Sequence, residues 1–112
     1  MQPIVERLRL GRILPLAEWR YAAALTTKPV KITLIATDRI CENFLRQNTN
    51  GIYRDANEYL SDVIDIERKI VQQLAEAGCP YVQMDAPSYT AYVDPRSFER
   101  IKTSGMDPIA QM

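Results

Sequence analysis

Apolar residues recur along the chain at two different intervals, and each change of interval marks the start of a new element. Val30-Lys31-Ile32-Thr33-Leu34-Ile35 alternates side by side and is rich in β-branched residues, which predicts a strand. Leu60, Val63, Ile64, Ile70, Val71, Leu74 and Ala77 recur at helical spacing and predict one apolar stripe on a long helix. Asp55 and Glu58 stand at its head with capping-box spacing, Gly78 follows its end as a C′ glycine does, and Pro80 forbids continuation. Asp62, Asp65, Arg68, Lys69, Gln72 and Glu76 fall on the other side, with Asp65 and Lys69 spaced to pair. The run Glu67-Arg68-Lys69 therefore reads as a solvated face. Tyr81-Val82-Gln83-Met84 predicts a second strand, broken by Asp85-Ala86-Pro87-Ser88.

Flanking segments carry weaker patterns. Residues 4–10 alternate and suit a short strand, stopped by Gly11. Pro15 fits the first turn of a helix that runs to about Leu25, with Glu18 complementing its dipole and Leu16, Trp19, Ala22 and Ala23 along one face. Asp38 is placed to cap a short helix through Leu45, in which Glu42 and Arg46 would pair. Asn48-Thr49-Asn50-Gly51 is loop chemistry, and residues 89–93 have no clear period. Asp94-Pro95 opens a helix to about Lys102, Gly105 ends it, and Asp107-Pro108 begins another.

Strand, helix, strand in this order implies a parallel pair joined by a right-handed crossover. The predicted class is α/β, with about three strands and four helices in one domain, or part of one, over residues 1–112. Parallel sheets are covered by helices on both faces or closed into a barrel. A (β/α)₈ barrel uses roughly 250 residues, so these 112 would supply only part of one.

Composition narrows the function classes. Fourteen basic and fourteen acidic residues balance, and the positive ones are dispersed, so the electrostatic footprint of a nucleic-acid binder is missing. No apolar run reaches the roughly 18 residues of a membrane span, and residues 1–7 lack the pattern of a signal peptide. A cytoplasmic location is the expectation, consistent with only two cysteines. With no histidine, the commonest general base and a common metal ligand are both missing.

Candidate chemistry collects where the strands end. Ligands of α/β sheets and barrels bind at the carboxyl ends of the strands, and Asp85 follows directly on one. Two roles are open to it: a ligand-binding carboxylate, or a cap for the turn before Pro87. Thr37 and Asp38 hold the equivalent position after the preceding strand and would lie beside Asp85 if the strands are neighbours. Asp38 equally suits a helix cap. Cys41 follows the carboxyl end of one strand and Cys79 precedes the amino end of the next. A strand length of about 17 Å would separate them, so they cannot share a metal ion, and no metal ligand set is expected.

Three stretches resemble the catalytic barrel of the cobalamin-independent methionine synthase family. They are Lys28-Pro29-Val30-Lys31-Ile32-Thr33-Leu34, Leu74-Ala75-Glu76-Ala77-Gly78-Cys79, and Tyr81-Val82-Gln83-Met84-Asp85-Ala86-Pro87. Asp94-Pro95 and Gly105-Met106-Asp107-Pro108 are similar too. The resemblance implies a (β/α)₈ barrel that moves a methyl group from a folate to the thiol of homocysteine, activated by zinc. It also implies that Asp85 binds the amino-acid substrate. The family's Asp-Glu-Pro stands here as Asp85-Ala86-Pro87, and its zinc ligands lie on later strands. The expectation is thus a fragment inactive alone, without zinc or methyl-folate of its own, that binds a homocysteine-like amino acid. It would pair with a complementary barrel chain or another copy. The alternative is a stand-alone α/β binding or interaction module that oligomerises through open strand edges. A related barrel acting on another thiol or a tetrapyrrole would share the fold.

Overall fold

The computed structural model describes residues 4–41 and 51–103. Their order is α1 (Leu14–Ala23), β1 (Lys31–Ile35), α2 (Thr37–Cys41), α3 (Ala56–Glu76), β2 (Tyr81–Asp85), α4 (Tyr89–Val93) and α5 (Pro95–Thr103). β1 and β2 pair in parallel, from Lys31 opposite Tyr81 to Ile35 opposite Asp85. The class is mixed α/β, with α2 and α3 forming the crossover between the strands.

The long helix ends as its sequence dictates. Asp55 Oδ1 accepts the Glu58 N–H at 2.9 Å, and Glu58 Oε2 accepts the Arg54 N–H at 2.8 Å. These bonds serve amides that the helix itself cannot satisfy. At the other end Gly78 adopts φ +90°, the Gly78 N–H reaches Ala75 O, and the Cys79 N–H reaches Leu74 O. This is the Schellman closure. Asp94 caps α5 by accepting from Ser97 Oγ at 2.6 Å and Ser97 N–H at 3.0 Å, which holds its carboxyl below the usual range.

Two apolar clusters hold these elements together. Leu16 of α1, Leu34 of β1 and Leu74 of α3 meet beneath the sheet, joined by Ile32, Val82 and Trp19. Trp19 Nε1 donates to Val30 O at 3.1 Å, tying α1 to the start of β1. The second cluster joins Tyr53, Tyr59 and Val63 with Ile4, Leu8 and Leu60. The Tyr53 and Tyr59 rings meet edge-on, with centroids 5.2 Å apart.

The element count differs from the sequence expectation: the described residues hold two strands and five helices. Residues 4–10 do not form the third strand. The Leu8 N–H donates to the Tyr53 hydroxyl at 2.7 Å instead of to a ladder, and Arg7 pairs with Glu58 and Asp62. Residues 89–93, without a clear period, form the additional helix α4. Helix α1 stops at Ala23, leaving Leu25 70% exposed, and Glu18 falls beyond its first turn. Asp65 pairs with Arg68 at 3.1 Å rather than with Lys69. On α3 the buried line runs through Tyr59, Val63 and Leu74, while Ile64 and Val71 face outward. The expected helix beyond Cys41, the Glu42–Arg46 pair, the loop at 48–50, Gly105 and the Asp107-Pro108 helix start lie outside the described residues. No described helix is long and apolar enough to cross a membrane.

Candidate functional site

Alternation along paired strands decides which side chains share a face. Ile32, Leu34 and Val82 point at the helices. Lys31, Thr33 and Ile35 therefore share the opposite face with Tyr81, Gln83 and Asp85. That face is open among the described residues: Ile35 is 41% and Tyr81 57% exposed. Parallel sheets ordinarily bury both faces under apolar residues. This face instead carries Lys31, Thr33, Gln83 and Asp85 beside Ile35 and Tyr81.

These polar groups are already organised. Lys31 Nζ donates to Gln83 Oε1 at 2.6 Å, and Gln83 Nε2 donates to Asp85 Oδ1 at 2.5 Å. The amide thus turns its oxygen to the cation and its nitrogen to the carboxylate. Asp85 is the last residue of β2, and its carbonyl accepts the Ala36 N–H at 2.8 Å. Backbone pairing on one side and Gln83 on the other hold the carboxylate at the carboxyl rim. Its second oxygen has no hydrogen-bond partner among the described residues.

Thr37 and Asp38 open α2 at the same rim, beyond Ile35 and Ala36. The two strands are neighbours, as the juxtaposition with Asp85 requires, yet the two carboxylates do not touch. Asp38 is buried, at 8% exposure. It does not cap a helix: α2 already begins at Thr37, and Asp38 Oδ2 receives the Tyr92 hydroxyl at 3.4 Å. Asp38 Oδ1 and Ser88 Oγ are buried with no partner among the described residues. Ser88 directly precedes α4, the helix whose Tyr92 reaches Asp38.

Three contributors escaped the sequence reading. Lys31 and Gln83 looked like ordinary polar strand positions, although their parity with Asp85 placed all three on one face. Glu67, by spacing a member of the solvated charged run, is instead half-buried on α3, and burial, then Asp38, raise its carboxyl above the usual range. Its spacing of four residues from Val63 was the available signal. Cys41 ends α2 and Cys79 precedes β2, at opposite edges of the sheet. Among the described residues, no three of His, Cys, Asp and Glu are grouped to hold a metal ion.

The chain is similar to the uncharacterized protein YxjH of Bacillus subtilis (strain 168), 33% identical over 58 residues. That stretch is 52% of this chain and 15% of the relative's length. No family model and no solved structure matches the chain.

Proposed function

We propose that the chain is part of a methionine-synthase-like (β/α)₈ barrel and that its carboxyl rim binds the amino group of a homocysteine-like amino acid through Asp85. The observation that carries this reading is the setting of Asp85. It ends a parallel strand on the polar, uncovered face, oriented by Gln83 and with one carboxylate oxygen free of described partners. A carboxylate so held suits an ammonium group, because charge-assisted hydrogen bonds are short and strong. The resemblance around Asp85-Ala86-Pro87 supplies the substrate class, and the parallel pair with its helical crossover has the form of the repeat from which such barrels are built.

In that family zinc activates the substrate thiol as a thiolate. The described residues do not make a zinc site, so the role proposed for this chain is binding and orientation of the amino acid. Thr37, at the same rim, is placed to add a hydroxyl contact. Titration calorimetry with homocysteine is the direct test. Asp85→Asn is expected to weaken binding by at least about tenfold, the loss of one charge-assisted contact. Equal affinity for both proteins would remove Asp85 from the site.

A second reading is favoured by the sheet itself, whose outer edges are both unpaired among the described residues. Open edges template pairing with another chain. A stand-alone module would then associate with a copy of itself, whereas a barrel piece would be completed by a chain carrying the remaining strands. Sedimentation velocity of the isolated chain separates the two.

A further inference from the structure

Lys31 and Asp85 stand at opposite ends of the uncovered sheet face, since Lys31 begins β1 and Asp85 ends β2. They do not form an ion pair with each other. One carboxamide lies between their charges: Gln83 Oε1 accepts from Lys31 Nζ at 2.6 Å, and Gln83 Nε2 donates to Asp85 Oδ1 at 2.5 Å. Thr33, the strand partner of Gln83, adds a hydroxyl to the same face. Lys31, Thr33 and Asp85 are exposed and Gln83 is half-buried, so the row is open to a ligand among the described residues.

A lysine ammonium has three donors, so Lys31 keeps two after serving Gln83, and Asp85 keeps one carboxylate oxygen. Opposite charges held apart, rather than closed on each other, remain able to serve a ligand that carries both. Between the cation and the carboxylate the Gln83 amide places N–C–O, two covalent bonds. The head of an α-amino acid presents N–Cα–C–O, one bond more, with an ammonium at one end and a carboxylate at the other. It matches the gap in length and in polarity, nitrogen toward Asp85 and oxygens toward Lys31.

We propose that Lys31 binds the carboxylate of the amino acid whose ammonium group Asp85 holds, so that this face selects zwitterionic α-amino acids over ligands carrying only one charge. The assignment rests on the reading of Asp85 as the ammonium partner and adds a second point of contact to it. Gln83 keeps the two charged residues apart. A ligand with only one of the two groups satisfies one residue and leaves the other to solvent, forgoing a charge-assisted hydrogen bond. Selectivity therefore comes from the fixed separation of the two charges.

Homocysteine and its decarboxylated analogue aminopropanethiol are matched probes for titration calorimetry with the wild-type chain. Homocysteine is expected to bind at least about tenfold more tightly than the amine. Lys31→Met, which keeps the stem and removes the charge, is expected to bring homocysteine down to the affinity of the amine. Lys31→Arg is expected to retain part of the preference. Equal affinities in the wild type, or a preference that survives Lys31→Met, would overturn the Lys31 assignment. Asp85→Asn separates that failure from failure of the rim reading: if it still weakens both ligands, the rim reading stands and only Lys31 leaves the site. If Asp85→Asn changes neither affinity, the rim reading falls, and the two-point contact falls with it.

Discussion

Glu67 occupies a position where charge is unwelcome, on the apolar side of α3 and close to Asp38. Its raised carboxyl is a statement about stability. The folded chain holds this proton more tightly than the unfolded chain. The corresponding stability is therefore complete below the ordinary carboxylate value of 4.5 and is lost as pH rises through the raised folded value. Glu67→Gln removes that loss. Thermal unfolding is expected to show a higher midpoint for the variant at neutral pH, with the difference closing toward about pH 3, where both side chains are neutral. An equal gain at both pH values would show that burial of charge is not the cause. Tyr53 presents the opposite case, a buried polar group that is satisfied. Its hydroxyl accepts from Leu8 N–H and donates to Asp62 Oδ2 at 2.9 Å. Tyr53→Phe leaves the amide unpaired and is expected to cost about 1–3 kcal/mol, measured by urea unfolding.

Helix α3 organises the fold because both apolar clusters use it, Tyr59 and Val63 near its start and Leu74 near its end. Its C-terminal closure aims the chain into β2, so the conformation of Gly78 helps to set the register that brings Asp85 opposite Ile35. A Cβ at Gly78 would meet nothing within 4 Å. The cost of Gly78→Ala is therefore one of backbone conformation alone, expected at about 1 kcal/mol. Denaturant titration should show this loss without any change in the slope. Where the buried line of α3 departs from the stripe that spacing predicts, the reason is tertiary packing. Ile64 and Val71 fit the stripe as well as Ile66 and Glu67 do by spacing, and only the neighbours of the helix choose between them. Caps and terminators were legible because they satisfy backbone groups within a few residues.

The described residues bury few side chains completely: the hydrophobic core consists of Leu16, Leu34, Ala36, Tyr53, Tyr59, Val63 and Leu74. Leu74 is fully buried and joins both strands to α1. Leu74→Ala is expected to cost about 2–5 kcal/mol, a large share of the 5–15 kcal/mol typical of a whole domain. Circular dichroism at 25 °C should show the variant substantially unfolded or close to its transition. A fully folded variant with an unshifted midpoint would mean that the cluster beneath the sheet contributes little. A small core and an uncovered polar sheet face agree with each other. In a parallel sheet part of the apolar burial comes from whatever covers the second face.

Local patterns were enough to establish the strands, the long helix with its ends, the parallel crossover and the position of Asp85, because each depends on bonds or periodicity within a short stretch. The unpaired state of residues 4–10, the helix at 89–93, the half-burial of Glu67 and the burial of Asp38 depended on the folded arrangement. A strand exists only where a neighbour accepts its hydrogen bonds. A carboxylate is buried or exposed according to what packs beside it, and residues distant in sequence determine both.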